Sequence, residues 1–265
     1  MLGQRVLSAA ILIPLAALFA YLGGWPFFAA IAAIILMATY EFYQLTIVGG
    51  YRPAVPLGIL LAMGLLLSAR FPQLQVAEPL LTAVLVISLI WHLVAYEKRL
   101  ADRPAGDWAL TVAGGLYLGW MGHLFLRLRD MPNGLGWILL ACVPIWVGDT
   151  GAYLVGIKWG QHKCCPRLSP KKSWEGTIAG WLTGLLSTVV IWQFFGLPLA
   201  QGLVLGALLS VITPLGDLAE SMFKRQVGAK DSGHLIPGHG GALDRVDSLL
   251  FSVPIVFYYV SYLTR

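Results

Sequence analysis

Residues Ser221–Asp247, SMFKRQVGAKDSGHLIPGHGGALDRVD, are where this chain could do chemistry. They hold the cations Lys224, Arg225, Lys230 and Arg245, the carboxylates Asp231, Asp244 and Asp247, and the histidines His234 and His239. A polar island at the edge of an apolar chain is costly unless it lines water or binds something charged. Cations beside carboxylates and flexible glycines are the components of a metal–phosphate site. The glycines between Gly233 and Gly241 would let backbone approach a ligand and turn N–H groups toward phosphate. An ordinary re-entrant turn needs the same glycines, and no GxxxxGK[ST] phosphate loop is present. His239, between Gly238 and Gly240, offers a ligand, a general base or a phosphate donor, whereas His234 reads equally well as a plain loop residue.

The chain has only 13 acidic residues, so their positions are informative. Glu41, Asp149, Asp217 and Glu220 fall within or at the ends of apolar segments, where an unpaired charge is expensive. Asp217 and Glu220 are three residues apart and Asp217 and Ser221 four, so all three share one helical face. Asp244 and Asp247 repeat the spacing at the start of the last apolar segment. Carboxylates on two such helices suit a hard cation such as Mg²⁺, which takes oxygen ligands, water and substrate phosphates. Salt bridges to Lys224, Arg225 or Arg245 are the blander alternative. A second polar segment, SPKKSWEG (Ser169–Gly176), offers Lys171 and Lys172 to a polyanion. Its Ser173 is placed to cap a helix, and Glu175 suits that helix's positive end. The same lysines, with Trp174, also read as an interfacial anchor. In GDTGAYLVG (Gly148–Gly156), small residues around Asp149 predict close helix packing beside a polar pocket.

Long apolar helices must position these groups. The 265 residues are 58% hydrophobic and 12% charged, with mean hydropathy +0.75. Soluble domains carry about 25% charge, so the chain reads as one all-α, polytopic integral membrane domain over 1–265. Apolar helices fill 1–130, and 131–265 carries the motifs. A membrane-crossing helix needs about 20 apolar residues. Nine segments qualify: 5–22, 26–46, 55–70, 77–96, 108–126, 135–157, 174–195, 199–222 and 246–263, the third being short. With the N-terminus in the cytoplasm, 14 Lys/Arg fall on that side and 4 on the other. That bias predicts a cytoplasmic N-terminus and places both motif loops on the cytoplasmic face. It also explains the net charge of +5 through loop bias and anionic headgroups, without nucleic acid. The run from Val6 to Leu22 reads as a retained first helix, because no clear cleavage site follows it. Cys142, Cys164 and Cys165 match neither a zinc site nor a disulfide framework and read as free thiols without a role.

The polar pattern S-x-F-K-R-x₄-K-D-S-G-x₂-I-P-G-H-G-G-x-L-D-R-V-D, from Ser221 to Asp247, resembles the signature of phosphatidate cytidylyltransferases. DTGAY (Asp149–Tyr153), SPKKSWEG and PLGDLAES (Pro214–Ser221) also resemble segments of that family. The resemblance is motif by motif in the C-terminal half and only a match of apolar spans in the N-terminal half. Ala242 stands where the family favours a larger aliphatic residue, and Ser173 where threonine is more usual.

The resemblance implies that CTP and phosphatidic acid give CDP-diacylglycerol and pyrophosphate, with Mg²⁺ and a second cation. It also implies an all-helical homodimer in the bacterial cytoplasmic (inner) membrane, its active site facing the cytoplasm. On that basis Asp217 and Asp244 are the principal metal carboxylates, with Asp247 and Ser221 beside them. Lys224, Arg225, Lys230 and Arg245 would bind substrate phosphates, and Lys171 and Lys172 are weaker candidates. Asp149, Asp231 and His239 complete the expected substrate site. Two rival readings conflict with the residues. A CDP-alcohol phosphotransferase requires a D-G-x₂-A-R motif, and the chain has no Asp-Gly pair. An ion-coupled transporter would gather polar residues at the bilayer midplane, not at one face.

Overall fold

The computed structural model describes residues 14–233 and 240–263. Arg5, Arg265, His234 and His239 lie outside the described residues. Residues 14–22 form α1, followed by α2 (Gly24–Val48), α3 (Val55–Arg70), α4 (Ala77–Glu97) and α5 (Pro104–Asp130). Then come α6 (Gly134–Trp159), α7 (Trp174–Gln193), α8 (Leu199–Gln226), α9 (Leu243–Val246) and α10 (Leu249–Leu263).

Each of the nine apolar segments contains a helix, and α3 is short as expected, at 16 residues. Among the described residues, six helical stretches are long and apolar enough to cross a bilayer: α2, α4, α5, α6, α8 and the stretch Leu243–Leu263. The protein is therefore a helical chain with several membrane-span candidates. The segment expected over 174–195 is helical but not among the six, since Glu175, three glycines and four hydroxyl residues dilute its apolar character.

Two local expectations need correction. The basic segment before α7 is a small antiparallel hairpin, β1 (Lys163–Cys165) on β2 (Ser169–Ser173), with Lys163 opposite Ser173. The last segment is not one helix from 246 onward: Asp247 and Ser248 form a turn between α9 and α10. The Asp247 side chain there accepts the Ser248 N–H at 2.5 Å.

The chain divides into two compact units. The first comprises Met1–Asp130 and Phe223–Val246. Within it, α5 packs against α2, α3 and α4. Glycines on α5 make this possible: a Cβ at Gly115 would lie 2.5 Å from the Gly58 carbonyl oxygen, and one at Gly119 2.6 Å from the Ala62 Cα. Such close backbone approach is the usual basis of helix association in lipid, where apolar burial gives no driving force. Tyr43 Oη donates to the Thr111 carbonyl at 2.6 Å, tying α2 to α5. His92 and His123 are buried, and His123 Nδ1 lies 3.0 Å from the Leu65 carbonyl.

The second unit comprises Met131–Met222 and Asp247–Arg265. Its centre is the antiparallel pair α6 and α7. Pro144, Gly148, Ala152 and Gly156 form one stripe, and Gly176, Gly180 and Gly184 the other. A Cβ at Gly180 would be 3.0 Å from the Gly148 carbonyl, and one at Gly176 2.7 Å from the Ala152 carbonyl. The close packing expected around Asp149 is thus present. Gly196, with φ +66, turns the chain from α7 into α8, and Gly202 and Gly206 pack back on Trp192 and Leu185.

Candidate active site

In the second unit, α8 places Asp217 and Glu220 on one face, as their spacing predicts. The turn after α9 brings Asp247 to them. One carboxylate oxygen from each of the three lies within 4.8 Å of the others. Gly216 permits this approach, because a Cβ there would run into the Asp247 carbonyl and come within 3.0 Å of the Phe251 ring. Glu220 is buried, whereas Asp217 and Asp247 are half-buried. Lys172, at the end of β2, reaches Asp217 Oδ2 at 2.5 Å. Asp149 on α6 is within electrostatic reach of both Lys172 and Asp217.

The hairpin that carries Lys172 is fixed from its ends. Ser173 caps α7, its Oγ accepting the Gly176 N–H at 3.3 Å. Glu175 accepts the backbone N–H groups of Gln161 and His162 and lies 2.6 Å from His162 Nδ1. The His162 side-chain hydrogen bond is the main reason that the Glu175 carboxyl is drawn down to about 2. All three cysteines are free, and burial pushes the Cys165 thiol up. Lys171 is exposed.

In the first unit the carboxylates have different neighbours. Asp244 Oδ1 accepts from Lys224 Nζ at 2.6 Å, and the two side chains are only 12% and 10% exposed. Asp244 Oδ2 accepts the Ser232 N–H at 3.1 Å, the Ser232 hydroxyl at 2.9 Å and the Gly241 N–H at 2.9 Å. Arg225 donates to the Ala229 carbonyl at 3.0 Å, and Lys230, Asp231 and Arg245 are exposed. Ser221, which belongs to the second unit, is buried on α8.

The described glycines of the loop serve the protein's own carboxylates. A Cβ at Gly233 would lie 2.7 Å from Glu41 Oε1, and one at Gly240 2.6 Å from Asp244 Oδ2. At Gly241 it would overlap Glu41 and Ser232. The expectation that glycine N–H groups here face phosphate is therefore corrected for Gly241, whose N–H is taken by Asp244.

Three oxygen donors converging from α8 and the following turn match the preference of a hard divalent cation. A basic side chain on one of them suits a site that also meets phosphate. In the sequence Glu220 stands out as a carboxylate on the Asp217 face without an assigned role, and Glu41 as a charge without a partner. The i, i+3 spacing to Asp217 was the available signal for Glu220. For Glu41 it was only a charge inside an apolar segment.

The family comparison agrees with this chemistry. The sequence profile of the cytidylyltransferase family matches residues 3–263. The chain belongs to the cytidylyltransferase family. This cytidylyltransferase-family chain is 36% identical to a phosphatidate cytidylyltransferase of Synechocystis sp., over 97% of its own length and 96% of the relative's. It is 36% identical to the protein of that name from Pseudomonas aeruginosa, over 96% and 95% of the two chains. The Bacillus subtilis protein of the same name is 31% identical over 96% of each. These relatives lend no support to the transporter or phosphotransferase readings.

Proposed function

We propose that this protein transfers the cytidylyl group of CTP to phosphatidic acid, giving CDP-diacylglycerol and pyrophosphate. The near end-to-end relation to phosphatidate cytidylyltransferases carries this reading. The oxygen-rich carboxylate group beside Lys172 supports it chemically. A phosphate oxygen of phosphatidic acid bonds to the α-phosphorus of CTP as the bond to the β-phosphate bridging oxygen breaks, and that oxygen leaves with pyrophosphate. The attacking phosphate is already largely ionised near neutral pH, so no protein base need remove a proton. Catalysis is then positioning and charge neutralisation.

Asp217, Glu220 and Asp247 fit a divalent cation such as Mg²⁺ and would hold it. When bound, the ion neutralises phosphate charge and orients phosphate oxygens. Lys172 holds Asp217 in place and offers positive charge to phosphate, and Asp149 shares its field. Lys171, Arg225, Lys230 and Arg245 present further positive charge, with Asp231 beside Lys230. Asp244 takes part in the reaction as a further carboxylate, and Lys224 acts through it by neutralising its charge. Ser221 supports the α8 face, and His239 is assigned to the substrate. A second cation belongs to the same reading.

The charge bias of the loops supports a cytoplasmic N-terminus, nine spans and an active site on the cytoplasmic side of a bacterial inner membrane, where CTP is available. A homodimer is part of the proposal. The deciding experiment incubates purified protein with labelled CTP, phosphatidic acid and Mg²⁺. CDP-diacylglycerol is expected, and well-folded protein that makes none would sink the assignment. Single-cysteine labelling of the 98–103 and 158–173 loops from the cytoplasmic side tests the topology.

A further inference from the structure

Glu41 is a carboxylate in the C-terminal third of α2 that accepts hydrogen bonds from residues 191, 201 and 202 positions away. Its side chain is buried, at 7% exposure. Oε1 accepts the Ala242 N–H at 3.0 Å, and Oε2 accepts the Leu243 N–H at 2.9 Å and the Ser232 hydroxyl at 3.1 Å. Nothing in the proposed reaction uses this group.

An apolar residue at position 41 would suit the helix better, because a buried carboxylate must recover its lost hydration from hydrogen bonds. Glu41 does so by taking two consecutive backbone N–H groups at the start of α9 and a hydroxyl from the other side of the loop. The bonds thereby fasten Ser232 and the 241–243 backbone to α2. Both fastened pieces are also the ligands of Asp244: Ser232 through its N–H and hydroxyl, and Gly241 through its N–H. The Ser232 hydroxyl lies 3.1 Å from one carboxylate and 2.9 Å from the other, so a single hydrogen links the two. Gly233 and Gly241 are the residues whose missing side chains let Glu41 in.

We infer that Glu41 is a positioning residue for the reaction, setting Asp244 and its Lys224 partner through Ser232 and the 241–243 backbone. The inference rests on the reading that Asp244 takes part in the reaction. Glu41→Gln is the sharp probe. Whichever oxygen becomes the amide nitrogen, a backbone N–H of Ala242 or Leu243 then faces a donor. Loss of an outer hydrogen-bonding partner at a metal or catalytic site commonly costs roughly 10- to 100-fold in activity.

The test uses the full chain in lipid nanodiscs, with cytidylyl transfer and thermal unfolding measured on Glu41→Gln, Ser232→Ala, their double variant and Asp244→Asn. Glu41→Gln is expected to unfold somewhat below the wild-type temperature, since one buried N–H loses its acceptor, yet to stay folded under assay conditions while kcat falls roughly 10- to 100-fold and KM for CTP holds. Ser232→Ala should lower kcat in the same way. The double variant should be no worse than the poorer single one, since both cut one linkage. A general packing role would lower the unfolding temperature without this coupling in kcat. Wild-type kcat in Glu41→Gln, or independent multiplying losses in the double variant, overturns the inference. If Glu41→Gln fails to fold, Ser232→Ala decides alone: a fall in kcat supports the linkage and an unchanged kcat overturns it. Active Asp244→Asn removes the reading beneath the inference, whereas inactive Asp244→Asn with fully active Glu41→Gln removes only the inference.

Discussion

The two units use carboxylates in opposite ways. In the second, Asp217, Glu220 and Asp247 point oxygens at one another within 4.8 Å, an arrangement that raises local negative potential. In the first, Asp244 and Glu41 point at N–H groups, a hydroxyl and an ammonium. Lys172 and the Ser248 N–H also reach the convergent group, but three carboxylates share one small volume there, which favours a cation, whereas the donors around Asp244 and Glu41 fix backbone. Burial alone does not separate the cases, since Glu41 and Glu220 are both buried. What separates them is the chemistry of the nearest neighbours.

The largest effect should come from breaking the convergent group. Asp217→Asn is expected to lower turnover at least about 10³-fold, the scale on which loss of charge stabilisation acts in phosphoryl-type chemistry. Its thermal stability should hold, because one source of like-charge repulsion is relieved as the Lys172 contact weakens. Glu220→Gln should follow the same pattern. Activity and unfolding temperature measured on the same preparations check both. A variant that unfolds early yet keeps its turnover would mean that the group is structural, and the contrast between the units would disappear.

The complementary break falls on the first unit. Lys224→Met leaves Asp244 buried with its hydrogen bonds but without its ammonium. Removing one partner of a buried ion pair costs about 3–5 kcal/mol of stability. The double variant Lys224→Met/Asp244→Asn removes both charges and should regain more than half of the loss. Denaturant unfolding in mixed micelles measures all three. A single-variant cost below about 1 kcal/mol, the range of exposed pairs, would show that water reaches the pair and that the two units differ less than their geometry implies.

Much of this contrast was legible in residue types, and part of it was not. Asp217 and Glu220 declare themselves by helical spacing in an apolar segment, and Ser173 by its place before a helix. Asp244 and Asp247 have the same three-residue spacing, yet the turn at Asp247–Ser248 interrupts the helix that the spacing presumes. Local periodicity therefore assigned them alike, although Asp247 joins one carboxylate group and Asp244 another set of donors. Glu41 was visible as an anomaly, but its partners lie at positions 232, 242 and 243, and no short-range pattern encodes a contact of that separation. The hairpin before α7 escaped because KCC and SPKKS are short, polar and interrupted by proline, without the β-branched alternation that marks a strand.

The smallest effect concerns a carboxylate that belongs to neither arrangement. Glu175 lies at the start of α7 and anchors the hairpin through Gln161 and His162. Its carboxyl titrates at about 2, below the ordinary value of 4.5, with the His162 side-chain hydrogen bond as first cause. A lowered folded-state pKa means that the interaction stabilises fully above about 4.5 and is lost as pH falls through about 2. Glu175→Gln should therefore unfold slightly below wild type at pH 6, and the gap should close between about pH 4.5 and pH 2. Turnover at pH 7 should stay within about twofold, because an exposed pair contributes little and Lys172 is also held by Asp217. Unfolding temperatures of the two proteins across that pH range give the answer. A gap that stays constant to pH 2 would show that the Glu175 contacts act by shape and not by charge. A large loss of turnover would instead make the hairpin anchor part of the convergent group and extend that group's reach along the chain.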